Sequence, residues 1–289
     1  MMTGRIVAAH GRQYLVELAD GSRLPCFPRG KKSQLAVGDR VGIARASSDQ
    51  GVIETVDPRR SLLYRSNEIR QKLIAANVDQ LIVVVATEPA FSDELVTRSL
   101  LAAEDQEIAS LIILNKCDLA PLLPIARERL HILARLGYRI VETCAREHAD
   151  ALRPLLQGKT SVLVGQSGMG KSTLVNTLIP EARAATREIS QALDSGKHTT
   201  THATLYHLDD ESHLIDSPGL QDFGLGHLDR QALALAFREF APFLGQCRFR
   251  DCRHEREPGC ALGAAVEAGE IDSRRLALFR RIAGVHQPR

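Results

Sequence analysis

The chain has 289 residues, of which 44% are hydrophobic and 25% charged, and it contains no tryptophan. That composition excludes wholesale disorder and collagen-like repeats, and the length fits two domains or one large one. A formal charge of +2 gives, taken alone, no reason to expect a polyanionic partner.

The longest apolar runs, such as Leu81 to Ala86, are far shorter than the roughly 20 residues that span a bilayer. The first residues carry no apolar signal-peptide core. Six cysteines are too few for a disulfide scaffold, and three of them gather with a histidine near the C-terminus. In a reducing compartment that grouping points to metal. The expected setting is cytoplasmic, with no membrane.

Residues 3–56 read as five short β-segments, GRIVAA, QYLVEL, SRLPCF, DRVGIA and GVIETV, punctuated by Asp20-Gly21 and Gly38-Asp39. A five-stranded barrel is expected, as an OB-fold or an SH3-like barrel. The stretch DPRRSLLYRSNE reads as a connector. From about residue 78, apolar runs (DQLIVVVA, SLIILN, YRIVET, TSVLVG) alternate with helical segments at 92–104 and 124–136. Buried parallel strands read as continuous Val/Ile/Leu runs, so this part is α/β. ATLYHL and SHLIDS, separated by Asp209–Glu211, read as a hairpin. Beyond Gly226 only helical segments are expected, around a Cys/His cluster. The expected domains are 1–65 (barrel and connector), 66–226 (α/β) and 227–289 (helical, metal-binding).

The strongest local signal is Gly165-Gln166-Ser167-Gly168-Met169-Gly170-Lys171-Ser172-Thr173, a G-x-x-x-x-G-K-[ST] loop between the strand-like SVLV and the helical LVNTLI. Glycines let backbone N–H groups converge on phosphate oxygens, and the helix N-terminus adds a favourable dipole. Lys171 would reach the β/γ-phosphates and the Ser172 hydroxyl would bind Mg²⁺. Asn115-Lys116-Cys117-Asp118 ends the strand LIIL in the N-K-x-D form. Asp118 can accept from guanine N1–H and the 2-amino group. Adenine would leave that carboxylate unpaired, a strong basis for discrimination.

Asp216-Ser-Pro-Gly219 has the D-x-x-G form at a strand end. Asp216 would hold Mg²⁺ through water, and the Gly219 N–H would sense the γ-phosphate. Lys197-His198-Thr199-Thr200-Thr201 offers hydroxyls to close on Mg²⁺, with Thr200 preferred and Thr199 and Thr201 as alternatives. Thr143-Cys144-Ala145 is a degenerate candidate for placing a backbone N–H on guanine O6.

The order is informative. An ordinary GTPase runs P-loop, switch threonine, D-x-x-G, N-K-x-D, O6 loop, whereas here the last two come first. The domain is therefore read as circularly permuted, and D-x-x-G leads straight into the Cys/His segment. A loop that orders around γ-phosphate would then pull directly on that segment.

Cys247, Cys252, His254 and Cys260 put four zinc-competent ligands within a short segment. A Cys₃His set with no vacant position is structural. Cys26, Cys117 and Cys144 read as small apolar residues. With the barrel, the permuted motifs and this cluster, the chain resembles the RsgA (YjeQ) family of bacterial small-subunit-dependent GTPases over nearly its whole length. The motifs that carry the resemblance are NKCD, GQSGMGKST, GKHTTT, DSPG and the Cys/His cluster.

The resemblance implies an N-terminal OB-fold, a permuted G domain and a zinc-binding C-terminal domain. It also implies GTP hydrolysis stimulated by the small (30S) subunit during late maturation. The position after D-x-x-G is Leu220, with Gln221 next, so the water-orienting glutamine of ordinary GTPases is displaced. By resemblance, His198 is the candidate to position water.

Resolved by segment, the charge changes meaning. Residues 1–65 hold 11 Lys/Arg against 6 Asp/Glu, residues 227–289 hold 11 against 8, and the middle holds 15 against 21. Two basic modules flank an acidic engine, a layout suited to RNA phosphates. Arg29, Lys31, Lys32, Arg248, Arg250, Arg253, Arg256, Arg274, Arg275, Arg280 and Arg281 are the expected footprint, with backbone and shape readout. The expectation is a monomeric, rRNA-binding GTP hydrolase with one structural zinc and Mg²⁺ bound with GTP. Its rivals are an RNA-binding module with little turnover and a permuted GTPase of the large subunit.

Overall fold

A computed structural model of the chain describes residues 2–30, 34–66, 71–182, 203–217 and 223–285. Five strands, β1 Met2–His10, β2 Gln13–Leu18, β3 Arg23–Pro28, β4 Arg40–Arg45 and β5 Gly51–Val56, form a barrel. Their order is β1-β2-β3-β5-β4, and β4 closes on β1 through Met2–Arg5. The β3–β5 pair is parallel and the others are antiparallel, which selects the OB-fold over an SH3-like barrel. Ile6, Val16, Leu24, Cys26, Val41, Ile43 and Ile53 are buried in this unit. Gly51 faces that interior, where an added Cβ would lie 2.7 Å from Ile43 Cγ2 and 2.8 Å from Cys26 Sγ. A bulge between Ile6 and Ala8 bends β1.

The α/β unit continues the same hydrogen-bonded sheet. β8 (Gln80–Ala86), β9 (Ala109–Asn115), β10 (Arg139–Glu142), β11 (Thr160–Val164) and β13 (His213–Asp216) are parallel, in the order β10-β9-β8-β11-β13. β12 (Thr204–His207) pairs antiparallel with β13 and meets β1 at Ala8↔Thr204. Every residue of β8 and β11 is buried, the apolar runs Leu81–Ala86 and Val162–Val164 together with the polar Gln80, Thr160 and Ser161 that precede them. Helices α1 (Asp93–Asp105), α2 (Leu123–Arg135), α3 (Arg153–Leu156) and α4 (Lys171–Leu178) connect the strands. Ser92 caps α1 by accepting from the Leu95 N–H at 3.2 Å, and Asp93 and Glu94 suit its positive end.

The stretch read as a connector contains a strand. β6 (Leu62–Ser66) pairs antiparallel with β7 (Gln71–Ala76) as a separate hairpin. The expected 65/66 division falls inside β6. This hairpin touches both neighbours: the Ala76 N–H donates to Val37 O at 2.8 Å, and the Ser66 N–H donates to Gly224 O at 2.9 Å. Ser66 Oγ also lies 2.8 Å from His227 Nδ1.

After Gly226 the described residues are helical: α5 (Arg230–Ala236), a 3₁₀ turn over Arg238–Phe243, α6 (Ala261–Glu267) and α7 (Ser273–Val285). Three rings fill their core. Phe237 stacks on Phe240 at 4.7 Å, and Phe279 meets both edge-on at 5.7 and 5.5 Å. Arg275, expected on an RNA-facing surface, is instead only 2% exposed. It pairs with Glu239 at 2.5 Å and donates to Thr97 Oγ1 at 3.1 Å, fastening α7 to α1. Arg274 pairs with Asp272, Arg281 with Glu94, and Arg280 donates to His254 O.

Candidate nucleotide site and metal cluster

The P-loop motif lies where β11 meets α4, at the carboxyl end of the central strands, where ligands collect in open α/β sheets. Close approach explains its glycines. Gly165 has φ +149°, and a Cβ there would sit 2.3 Å from Val84 O. Gly170 has φ +93°, and its Cβ would sit 2.2 Å from Asn115 Nδ2. Ser167, Gly168 and Ser172 are exposed, Met169 is buried, and Gln166 Oε1 accepts the Ser92 N–H at 2.7 Å. The start of α1 is thereby tied to the phosphate loop.

Asn115 ends β9 only 2% exposed. Its Nδ2 donates to Met169 O at 2.9 Å and its Oδ1 accepts the Ala145 N–H at 2.9 Å. One side chain thus holds the phosphate loop and the 143–145 loop together. Of the backbone N–H groups in the 143–145 loop expected to serve guanine O6, that of Ala145 is given to Asn115. Lys116 adopts φ +62° and donates from Nζ to Glu88 O at 2.7 Å. Asp118 is exposed, with the buried Cys144 thiol beside its carboxylate. Burial, then that carboxylate, raises the Cys144 thiol, although a backbone N–H counters in part. Cys117 donates to Leu114 O at 3.1 Å.

Lys171 is 7% exposed, with Nζ 2.8 Å from Gly165 O and 3.0 Å from Gln166 O. Burial lowers its pKa, against the attraction of Asp216. Asp216 ends β13 at 5% exposure, and burial pushes it up to about 6 against the opposing pull of Lys171. Two desolvated opposite charges beside a glycine loop are chemically suited to a phosphate and a divalent cation. His198, Thr199, Thr200, Thr201, Gly219, Leu220 and Gln221 lie outside the described residues, as do Lys31 and Lys32.

In the Cys/His cluster, the four ligand atoms of Cys247, Cys252, His254 and Cys260 lie within 4.8 Å of one another. His254 Nδ1 is 3.5, 3.6 and 3.4 Å from the Cys247, Cys252 and Cys260 sulfurs. Zn–S near 2.3 Å and Zn–N near 2.0 Å at tetrahedral angles give S···N edges of about 3.5 Å. The residues therefore fit a tetrahedral ion. Burial, then the neighbouring thiols, pushes Cys252 up to about 12. Glu257 accepts the Arg253, Glu255 and Arg256 N–H groups, holding the loop and bringing its own carboxyl down to about 2 despite opposing desolvation.

Residues 56–226 match the model of the RsgA GTPase family. The chain belongs to that family. A "Small ribosomal subunit biogenesis GTPase RsgA" of Bordetella pertussis is 56% identical over 283 residues, covering 96% of this chain and 94% of the relative. One of Burkholderia pseudomallei is 54% identical, covering 98% and 91%. Among solved structures, YjeQ from Thermotoga maritima aligns with a TM-score of 0.73 at 32% identity, covering 100% of this chain and 99% of its own. YloQ, described as a circularly permuted GTPase, aligns at 0.71 and 26% identity, covering 100% and 97%. The permuted order read in the motifs is thus the order of this RsgA-family fold.

Sequence reasoning missed two residues that organise the RsgA-family site: Ser92, whose N–H joins α1 to Gln166 of the phosphate loop, and Ser66, which holds the segment after D-x-x-G. Only the capping pattern before α1 signalled the first.

Proposed function

We propose that this RsgA-family chain hydrolyses GTP to GDP and phosphate on the small ribosomal subunit late in its maturation, with hydrolysis stimulated by the subunit and coupled to release. The supporting observation is convergence: the phosphate loop, Asn115 to Asp118 and Asp216 all meet at one end of the β9-β8-β11-β13 sheet.

In this reading the Gly165–Thr173 backbone and Lys171 hold the phosphates. Asp118 reads guanine while the Lys116 stem covers the base, and Cys117, Cys144 and Ala145 border it. Ser172 and Thr200 would hold Mg²⁺, with Asp216 acting through water and Gly219 sensing the γ-phosphate. Mg²⁺ would supply counter-charge to the phosphates. His198, by the resemblance of its GKHTTT segment to the family's, positions water, a task that the apolar Leu220 after D-x-x-G does not serve. The Cys₃His set holds a structural zinc, which supplements the small core around Phe237, Phe240 and Phe279.

The basic outer modules meet rRNA phosphates through the residues that remain exposed, Arg248, Arg250, Arg253 and Arg256 among them. No helix among the described residues is long and apolar enough to cross a membrane. A monomer working on ribosomal subunits in the cytoplasm is the consistent setting. The test is the GTPase rate with purified small or large subunits. Small subunits should raise it and large ones should not. Stimulation by large subunits alone, or no turnover with either, would overturn the reading.

A further inference from the structure

Away from the nucleotide and metal sites, the outer face of the barrel carries a cleft of about 700 Å³. Along β3, Leu24 and Cys26 point into the barrel, which sends Arg23, Pro25 and Phe27 outward. Phe27 keeps 39% of its surface exposed, and among the described residues only Phe249 is another exposed phenylalanine. Across the cleft lies the turn between β4 and β5, with Arg45, Asp49 and Gln50. The exposed Arg45 side chain makes no ion pair or hydrogen bond among the described residues. Arg29, on the same barrel, is already paired with Glu54.

An exposed ring beside an uncommitted guanidinium, rimmed by amide and carboxylate groups, is poorly matched to an apolar peptide, which would strand the polar rim. It matches a flat base with a phosphate. The ring offers a π-face, Arg45 a cation, and Asp49 and Gln50 acceptors and a donor for base edges. The excess of Lys/Arg over Asp/Glu in residues 1–65 favours the same ligand.

We infer that this cleft seats one unpaired RNA nucleotide, its base stacked on Phe27 and its phosphate held by Arg45. The inference rests on the rRNA-binding reading above and specifies the form of RNA taken: single-stranded, with base contact as well as backbone contact.

The test uses the zinc-loaded full chain and a fluorescent ten-nucleotide mixed-sequence oligoribonucleotide, followed by anisotropy. F27A should weaken binding by about tenfold or more, as losing one base stack does. F27Y, which keeps the ring, should stay within about twofold of the unaltered chain. R45A should weaken binding and reduce the slope of log Kd against log salt by about 0.7, the signature of one lost single-strand phosphate contact. A duplex of the same sequence should compete poorly. Nucleotide turnover without RNA should not change in F27A.

F27A binding as tightly as the unaltered chain, or duplex displacing single strand efficiently, would overturn the inference. Because Phe27 is exposed, melting of F27A should match the unaltered chain, and R45A and F27Y carry the test independently. Small-subunit stimulation of the unaltered chain is measured alongside. Its absence sinks the functional reading, whereas unchanged oligonucleotide affinity in F27A and R45A sinks only this inference.

Discussion

Asn115→Ala tests whether the strand end proposed to read guanine works by holding two loops together. The substitution removes the bonds to Met169 O and from the Ala145 N–H, both 2.9 Å long. The stranded partners sit in residues only 1% and 3% exposed. A buried polar group left without a partner costs about 1–3 kcal/mol, so the two together come to roughly 2–6 kcal/mol. If even 1.4 kcal/mol of that falls on the nucleotide-bound state, affinity drops about tenfold.

Titration with a fluorescent guanine nucleotide should therefore show GTP and GDP weakened by the same factor, at least tenfold, with zinc content unchanged. Asn115→Asp should not rescue, because a carboxylate cannot donate to Met169 O and would face it with like charge. Gly170→Ala should reproduce the defect, since its Cβ would displace the Asn115 amide. Unchanged nucleotide affinity in Asn115→Ala, or full rescue by Asp, would refute the reasoning.

His198→Ala should leave GTP affinity within about twofold and lower subunit-stimulated turnover by about 10²-fold or more, the range of a positioned proton-transfer group; single-turnover kinetics with small subunits decides it. Cys252→Ser should lose the bound zinc by metal analysis and impair ribosome coupling before GTP affinity; the reverse order would mean that the two units are not separable. Asp39, fully buried, pairs with Arg59 at 2.7 Å and accepts the Ala36 N–H at 2.8 Å, so Asp39→Ala should destabilise by roughly 3 kcal/mol, read as a lowered denaturation midpoint. Burial, then nearby Arg5 and His207, lowers His213 to about 4, so it stays neutral in the fold while the unfolded chain takes up a proton below about 6.5. Its contribution to stability is intact above that pH and is lost as pH falls toward 4; His213→Gln should flatten the acid limb of the stability curve, and an unchanged limb would show that other groups set it.

The parts of this fold that sequence made legible are those where local chemistry is self-sufficient. β8 and β11 announced themselves because a strand buried on both faces is mostly apolar, as Leu81–Ala86 and Val162–Val164 are. The phosphate loop did so because only glycine tolerates Val84 O and the Asn115 amide at such short range. The hairpin β6–β7 was hidden because Arg65, Gln71 and Lys72 dilute its apolar residues, and its partners lie far away in sequence. Arg275 was misplaced for a related reason. A run of arginines on an amphipathic helix reads as solvated surface, and nothing local announces a carboxylate 36 residues earlier that draws one of them into the core. The Cys/His cluster was legible as ligands from spacing alone, while its near-tetrahedral edges needed coordinates.

The junction at Ala8↔Thr204 makes β1 a seam shared by two bodies. Thr204, the first residue of β12, pairs with Ala8 of the barrel on one side and with Asp216 of the D-x-x-G strand on the other. Barrel strand and buried carboxylate are thus two neighbours of one residue. A displacement of β1 reaches the end of β13 across one row of backbone pairing, without passing through a loop or a separate domain face.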